Sequence, residues 1–118
     1  MGGTAALMHA RVGSRVLAFG PRVDLRRVHG AYLPAEAKAA CTQAVLASLG
    51  KLRAGASVAV HVGGDNAVDV EQARLVGARP RVALVRHATF HHNVPQFLER
   101  EGRLVPLLKR EMLAQLRH

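Results

Sequence analysis

The sequence predicts an α/β domain: a small three- or four-stranded sheet, parallel or mixed, flanked by helices, with a basic N-terminal arm and a C-terminal helix pair. Two observations carry this. The β-branched runs at 57–62 and 81–86 alternate with stretches of helical periodicity, and a further short apolar run precedes them at 15–19. A chain of 118 residues, 49% of them hydrophobic, is also the size of one ordinary domain with a real core. Strand and helix in alternation argue for parallel pairing through right-handed crossovers.

The chain divides into an arm over residues 1–32 and an α/β body over residues 33–118. In the arm, residues 15–19 and 22–28 are short apolar runs parted by Gly20-Pro21, a turn signal, and read as one strand or a loose hairpin. Pro34 then opens a helix, with Glu36 placed against the positive end of its dipole. Ala37, Ala40, Cys41, Ala44, Val45, Ser48, Leu49 and Leu52 follow the spacing of a buried face, and Gly50 or Gly55 ends the helix.

Residues 57–62 read as a strand, broken by Gly63-Gly64 before Asp65 or Asn66 caps a short helix that Gly77 closes. The strand at 81–86 is apolar through its middle, as a strand covered on both faces would be. Asn93 followed by Gln96 resembles a capping box, and Pro95 suits a first turn, so a helix is expected over 94–101. Gly102 interrupts. A second helix from about Val105 carries Leu108, Met112 and Leu116 on one stripe, with Lys109, Arg110 and Arg117 elsewhere.

Seventeen Lys and Arg against eight Asp and Glu give a net charge of +9, and fourteen of the seventeen are arginine. The planar guanidinium suits phosphate and carboxylate, so an acidic partner is expected: nucleic acid, anionic lipid or an acidic protein surface. The aromatic residues are only Phe19, Tyr32, Phe90 and Phe97, too few for a surface that stacks unpaired bases, which favours phosphate contact. Arg11, Arg15, Arg22, Arg26 and Arg27 fall in the first thirty residues with Asp24 as the only acid there. That composition matches a mitochondrial transit segment or a ribosome-type basic arm. The single Cys41 excludes an internal disulfide and a four-cysteine zinc site, pointing to a reducing compartment, mitochondrial matrix or cytoplasm. No run approaches the ~18 apolar residues of a membrane span.

His87, His91 and His92 crowd the end of the strand at 81–86. In a helix, His87 and His91 would share a face. In extended chain they stand roughly 13 Å apart, and Ala88 occupies the place of a metalloprotease glutamate, so no metal site is expected. Parallel strands would instead bring His61, Gly63, Gly64 and Asp65 near His87 and His91, at the edge where open α/β sheets bind ligands. Helix N-termini near Asn66 and Val94 could then face an anion. Gly63-Gly64 falls short of a dinucleotide fingerprint or a P-loop, and no Ser-His-Asp order is present.

The expected function is therefore a non-catalytic structural or binding subunit of a large assembly, without a cofactor. It would hold an acidic partner, foremost RNA phosphates in a ribonucleoprotein, through Arg11, Arg15, Arg22, Arg26 and Arg27, backed by Arg103, Lys109, Arg110 and Arg117. One alternative is a small α/β enzyme or phosphate-ligand-binding domain using the strand-end histidines and glycines. Another is a homo-oligomeric scaffold, tail or shell protein.

Overall fold

The computed structural model describes residues 2–12, 15–25 and 33–116. Among these, α1 (Gly2–Met8) and a 3₁₀ turn (Ala10–Val12) precede β1 (Arg15–Phe19), and α2 (Ala35–Leu49) leads to β2 (Ser57–Gly63). Then come α3 (Ala67–Gly77), β3 (Val82–His87), α4 (Val94–Arg100) and α5 (Leu104–Leu116). The fold is α/β, with three strands in the order β1-β2-β3, all parallel. Arg15 lies opposite Ser57 and Phe19 opposite His61, while Gly63 lies opposite His87.

Side-chain alternation divides the sheet into two faces. Val58, Val60 and Val62 of the central strand join Ala18, Leu7 of α1, Val45 and Leu49 of α2, and Val70, Ala73 and Val76 of α3 in the main core. The opposite face carries Phe19, His61 and His87 and is covered by α4 and α5, where Val94, Leu98 and Leu107 form a smaller core. Strand β2 is thus buried on both faces. Strand β3, expected to be covered on both sides, is half-exposed at its centre, with Ala83 open to solvent. It is the edge of the described sheet, and its apolar middle reflects one packed face only.

A separate basic arm is not seen over residues 2–12 and 15–25, which pack into the body. Leu7, Ala10, Ala18, Val23 and Leu25 are buried in the body, and β1 pairs along its length with β2, not with the segment after Gly20-Pro21. The reason is that β1 supplies a strand and α1 a lid to the main core. Helix α1 has no sequence signal, with two glycines in seven residues; tertiary packing of Leu7 holds it. Residues 26–32 lie outside the described residues. On α2 the buried positions are Thr42, Val45, Ser48 and Leu49. Ala40 is exposed and Cys41 half-buried, so the inner face is rotated from the expected one.

Residues 20–24 after β1 have no helix or strand, and their backbone is served by side chains. Thr4 Oγ1 donates to Arg22 O and accepts from Arg22 N, both at 2.9 Å. Gln72 Oε1, on α3, accepts from Val23 N at 2.7 Å and Asp24 N at 2.9 Å, and its Nε2 donates to Asp24 O at 3.2 Å. Replacing Gln72 with Leu keeps the volume but leaves two buried N–H groups without acceptors, so a loss of about 2 kcal/mol is expected in urea unfolding. A loss within error of zero would mean that this segment rearranges to reach water.

On α5 the inward positions are Leu104, Leu107 and Glu111. Glu111 points inward because Arg15 reaches it from β1, through Nε to Oε2 and through Nη2 to Oε1 at 3.0 Å. The stripe expected from periodicity, Leu108 and Met112, faces solvent, and nothing is described of the Leu116 side chain.

Candidate functional site

Three rings stand in a row on the second face of the sheet, at the C-terminal ends of the strands. Phe19 of β1 stacks on His61 of β2 with centroids 5.1 Å apart, and His61 stacks on His87 of β3 at 5.3 Å. Parallel register makes this row: Phe19 is paired with His61, and His87 lies two residues beyond the partner of His61, so all three project from one face.

The row carries a directional hydrogen-bond chain. Arg103, just before α5, places Nη2 3.3 Å from His87 Nδ1, and His87 Nε2 lies 3.0 Å from His61 Nδ1. A guanidinium only donates, so His87 Nδ1 accepts and its proton sits on Nε2. That proton is given to His61 Nδ1, which leaves the His61 proton on Nε2. The tautomer of each ring follows from its neighbour. Burial, then repulsion by His87, moves His61 down to about 4 against the opposing pull of Glu111. Burial and the Arg103 charge lower His87. Both rings are neutral at pH 7.

The chain ends on an unsatisfied donor. His61 is 2% exposed, and its Nε2 has no hydrogen-bond partner among the described residues. A buried polar group without a partner costs roughly 1–3 kcal/mol. His61 and His87 line a cavity of about 250 Å³ between the sheet and α5, walled by Val85, Leu98, Pro106 and Leu107. Arg86, Arg103 and Arg110 complete its lining. Among the described residues no carboxylate takes part in it. Arginine donors, an imidazole donor and aliphatic walls suit a compact anion with an apolar body.

The Gly63-Gly64 turn is closed by its own chain. Gly64 N donates to His87 O at 2.7 Å, Asp65 N to Thr89 O at 3.0 Å and Asn66 N to Gly63 O at 3.1 Å. Asn66 caps α3 by accepting from Asp69 N at 3.1 Å, and Asn93 caps α4 by accepting from Gln96 N at 3.2 Å. A side chain at Gly63 would lie 2.7 Å from both Thr89 O and His91 O, so the glycine is there for the close approach of the following loop. These N–H groups are occupied and offer nothing to an anion. Gly63, Gly64, Asp65 and His91 lie outside the cavity lining. His91 is exposed, its ring tilted against Phe90 at 5.0 Å.

A second cluster was not foreseen. Asp69 of α3, fully buried, accepts from Arg22 Nη1 at Oδ1 and from His92 Nδ1 at Oδ2, the latter at 2.8 Å. His92 also lines a separate cleft of about 360 Å³ with Leu17, Phe19 and Pro95. Gly20, with φ of +53°, brings its backbone under the His92 ring, where a Cβ would be 3.0 Å from Cε1. Of this cluster, Arg22 was expected to meet a partner and His92 belonged to the run at 87–92, whereas nothing in the sequence singled out Asp69.

The expected phosphate-binding arginines have diverse fates. Arg15 is engaged with Glu111 and with Ser57 Oγ at 2.5 Å, and Arg22 with Asp69. Arg103 serves His87, while Arg11, Lys109 and Arg110 are exposed. Arg26, Arg27 and Arg117 lie outside the described residues. Among the described residues no three metal-ligating side chains gather, and no helix is long and apolar enough to cross a membrane. No family model, curated protein or solved structure matches this chain. The functional reading therefore rests on the geometry of the site.

Proposed function

We propose that this chain is a binding domain for a small anionic molecule, seated in the cavity between the second face of the sheet and α5. The observation that carries the reading is the buried His61 Nε2–H without an acceptor. In this reading Arg103 and Arg110 take the charged group, His61 donates to a further oxygen or ring nitrogen, and Leu98, Pro106 and Leu107 cover the apolar part. A volume near 250 Å³ falls just below the range of about 300–1,000 Å³ typical of ligand pockets, which favours a compact ligand over a dinucleotide.

Phenyl phosphate and benzoate are suitable probes, because they present the same apolar ring on two kinds of anion. Titration calorimetry is expected to give saturable binding of at least one of them. The double variant Arg103→Ala/Arg110→Ala is expected to lose it, and His61→Phe, which keeps the stack and removes the donor, to weaken it about tenfold. Binding of neither probe, or binding unchanged in both variants, would remove the proposal.

The reading of a subunit that grips RNA phosphates draws on the net charge of +9 and on exposed Arg11, Lys109 and Arg110. Three phosphate contacts would give a salt dependence of slope about −2 to −3, and filter binding across a salt series measures it.

A further inference from the structure

We propose that the outer face of α5 is a docking surface for an acidic amphipathic helix of another protein. Leu107 and the Glu111–Arg15 pair fix the inner face of α5 to the sheet, which sets the direction of everything else on it. The outer face presents Val105, Leu108, Met112 and Leu113, which are 59%, 38%, 64% and 55% exposed. Their spacing of three, four and one follows the seam along which one helix packs on another, with about 3.6 residues to the turn. A run of large aliphatic side chains on a rigid, solvent-facing helix marks an interaction surface more than scattered exposed residues do.

Charge selects the occupant. Lys109 lies within this stripe, one turn from both Val105 and Leu113, and makes no hydrogen bond or ion pair with the described residues. Arg110, one residue on, turns to the flank that lines the cavity and is not part of this stripe. The only carboxylate of α5 is Glu111, and Arg15 holds it inward; Glu99 belongs to α4 and Glu101 caps that helix. A second copy of this chain fits poorly: two-fold pairing centred on the stripe sets Lys109 against Lys109, between bodies that each carry +9. A partner helix with Leu or Ile along its seam and Glu or Asp beside it covers the apolar side chains and answers Lys109, as flanking charges do in coiled coils. This surface is separate from the cavity, so it stands whether or not the cavity binds an anion.

The test uses two synthetic peptides of three heptads, both with Leu along the seam, one with Glu and one with Lys at the flanking positions. Fluorescence anisotropy with the full chain is expected to show binding of the Glu peptide, with the Lys peptide weaker by about tenfold or more. Lys109→Glu is expected to reverse that preference, and Met112→Asp to abolish binding. Met112 is largely exposed, so an unchanged melting temperature of Met112→Asp verifies that the fold survives. Equal affinity for both peptides, or none, overturns the proposal. It is also overturned if light scattering shows a dimer that Met112→Asp dissociates, or if only phosphatidylserine vesicles bind, since the occupant would then be a second copy or a lipid surface.

Discussion

Lowering the pH from 6.5 to about 4 is expected to cost the fold roughly 3 kcal/mol through His61 alone. The histidine sits between Phe19 and His87, 2% exposed, and accepts a proton there only at about 4, where an unfolded chain accepts it near 6.5. Burial is the largest cause, with the neighbouring His87 and Arg15 adding repulsion and Glu111 opposing. In the window between the two values the unfolded chain binds more protons than the folded one. Stability is therefore fully present above 6.5 and falls as the pH drops toward 4. His87 acts in the same direction, through burial and the Arg103 charge. Urea midpoints measured across this range should decline for the natural chain. In His61→Phe, which preserves the ring stack, the decline should shrink to the part that His87 contributes. Superimposable profiles for the two proteins would show that the His61 ring is hydrated in the fold, and the unsatisfied donor at Nε2 would lose its meaning with it.

Why the chain could be read in part from its sequence is clear from individual elements. The strands at 57–62 and 81–86 and the caps at Asn66 and Asn93 depend on neighbours within a few residues, and they occur where local chemistry places them. Parallel pairing then brought His61 and His87 together at one sheet edge. What could not be read depends on long-range partners. Helix α5 has two apolar stripes, and the one turned inward is chosen by Arg15, 96 residues before Glu111. Charge counting treats Arg15 and Arg22 as available to a partner, whereas each finds an internal carboxylate. Helix α1 has no local preference to reveal it. The cavity lies on the sheet face and not at the glycine turn because the loop after β3 closes over Gly63, a contact that no spacing records.

The same long-range logic makes Asp69 the position with the largest expected effect on stability. Its carboxylate joins three segments that have no regular structure in common: the chain after β1 through Arg22, the first turn of α3, and the loop after β3 through His92. Asp69→Ala leaves the Arg22 guanidinium, only 22% exposed, beside a void in place of its carboxylate partner. Removing one partner of such a pair costs roughly 3–5 kcal/mol, a third or more of the stability of an ordinary domain. Asp69→Asn keeps the shape but turns an amide N–H₂ toward one of two donors, so it should be nearly as damaging. The double variant Asp69→Leu/Arg22→Met removes both charges and should recover most of the loss, because an apolar pair of similar volume carries no desolvation cost. Urea unfolding of Asp69→Leu, Arg22→Met and the double variant yields the coupling directly. A loss under about 1 kcal/mol for Asp69→Ala would mean that water already screens the pair. Additive losses in the double variant would mean that Asp69 acts through His92 and not through Arg22. The expected non-additivity ties the order of the chain after β1 and of the loop after β3 to a single buried carboxylate.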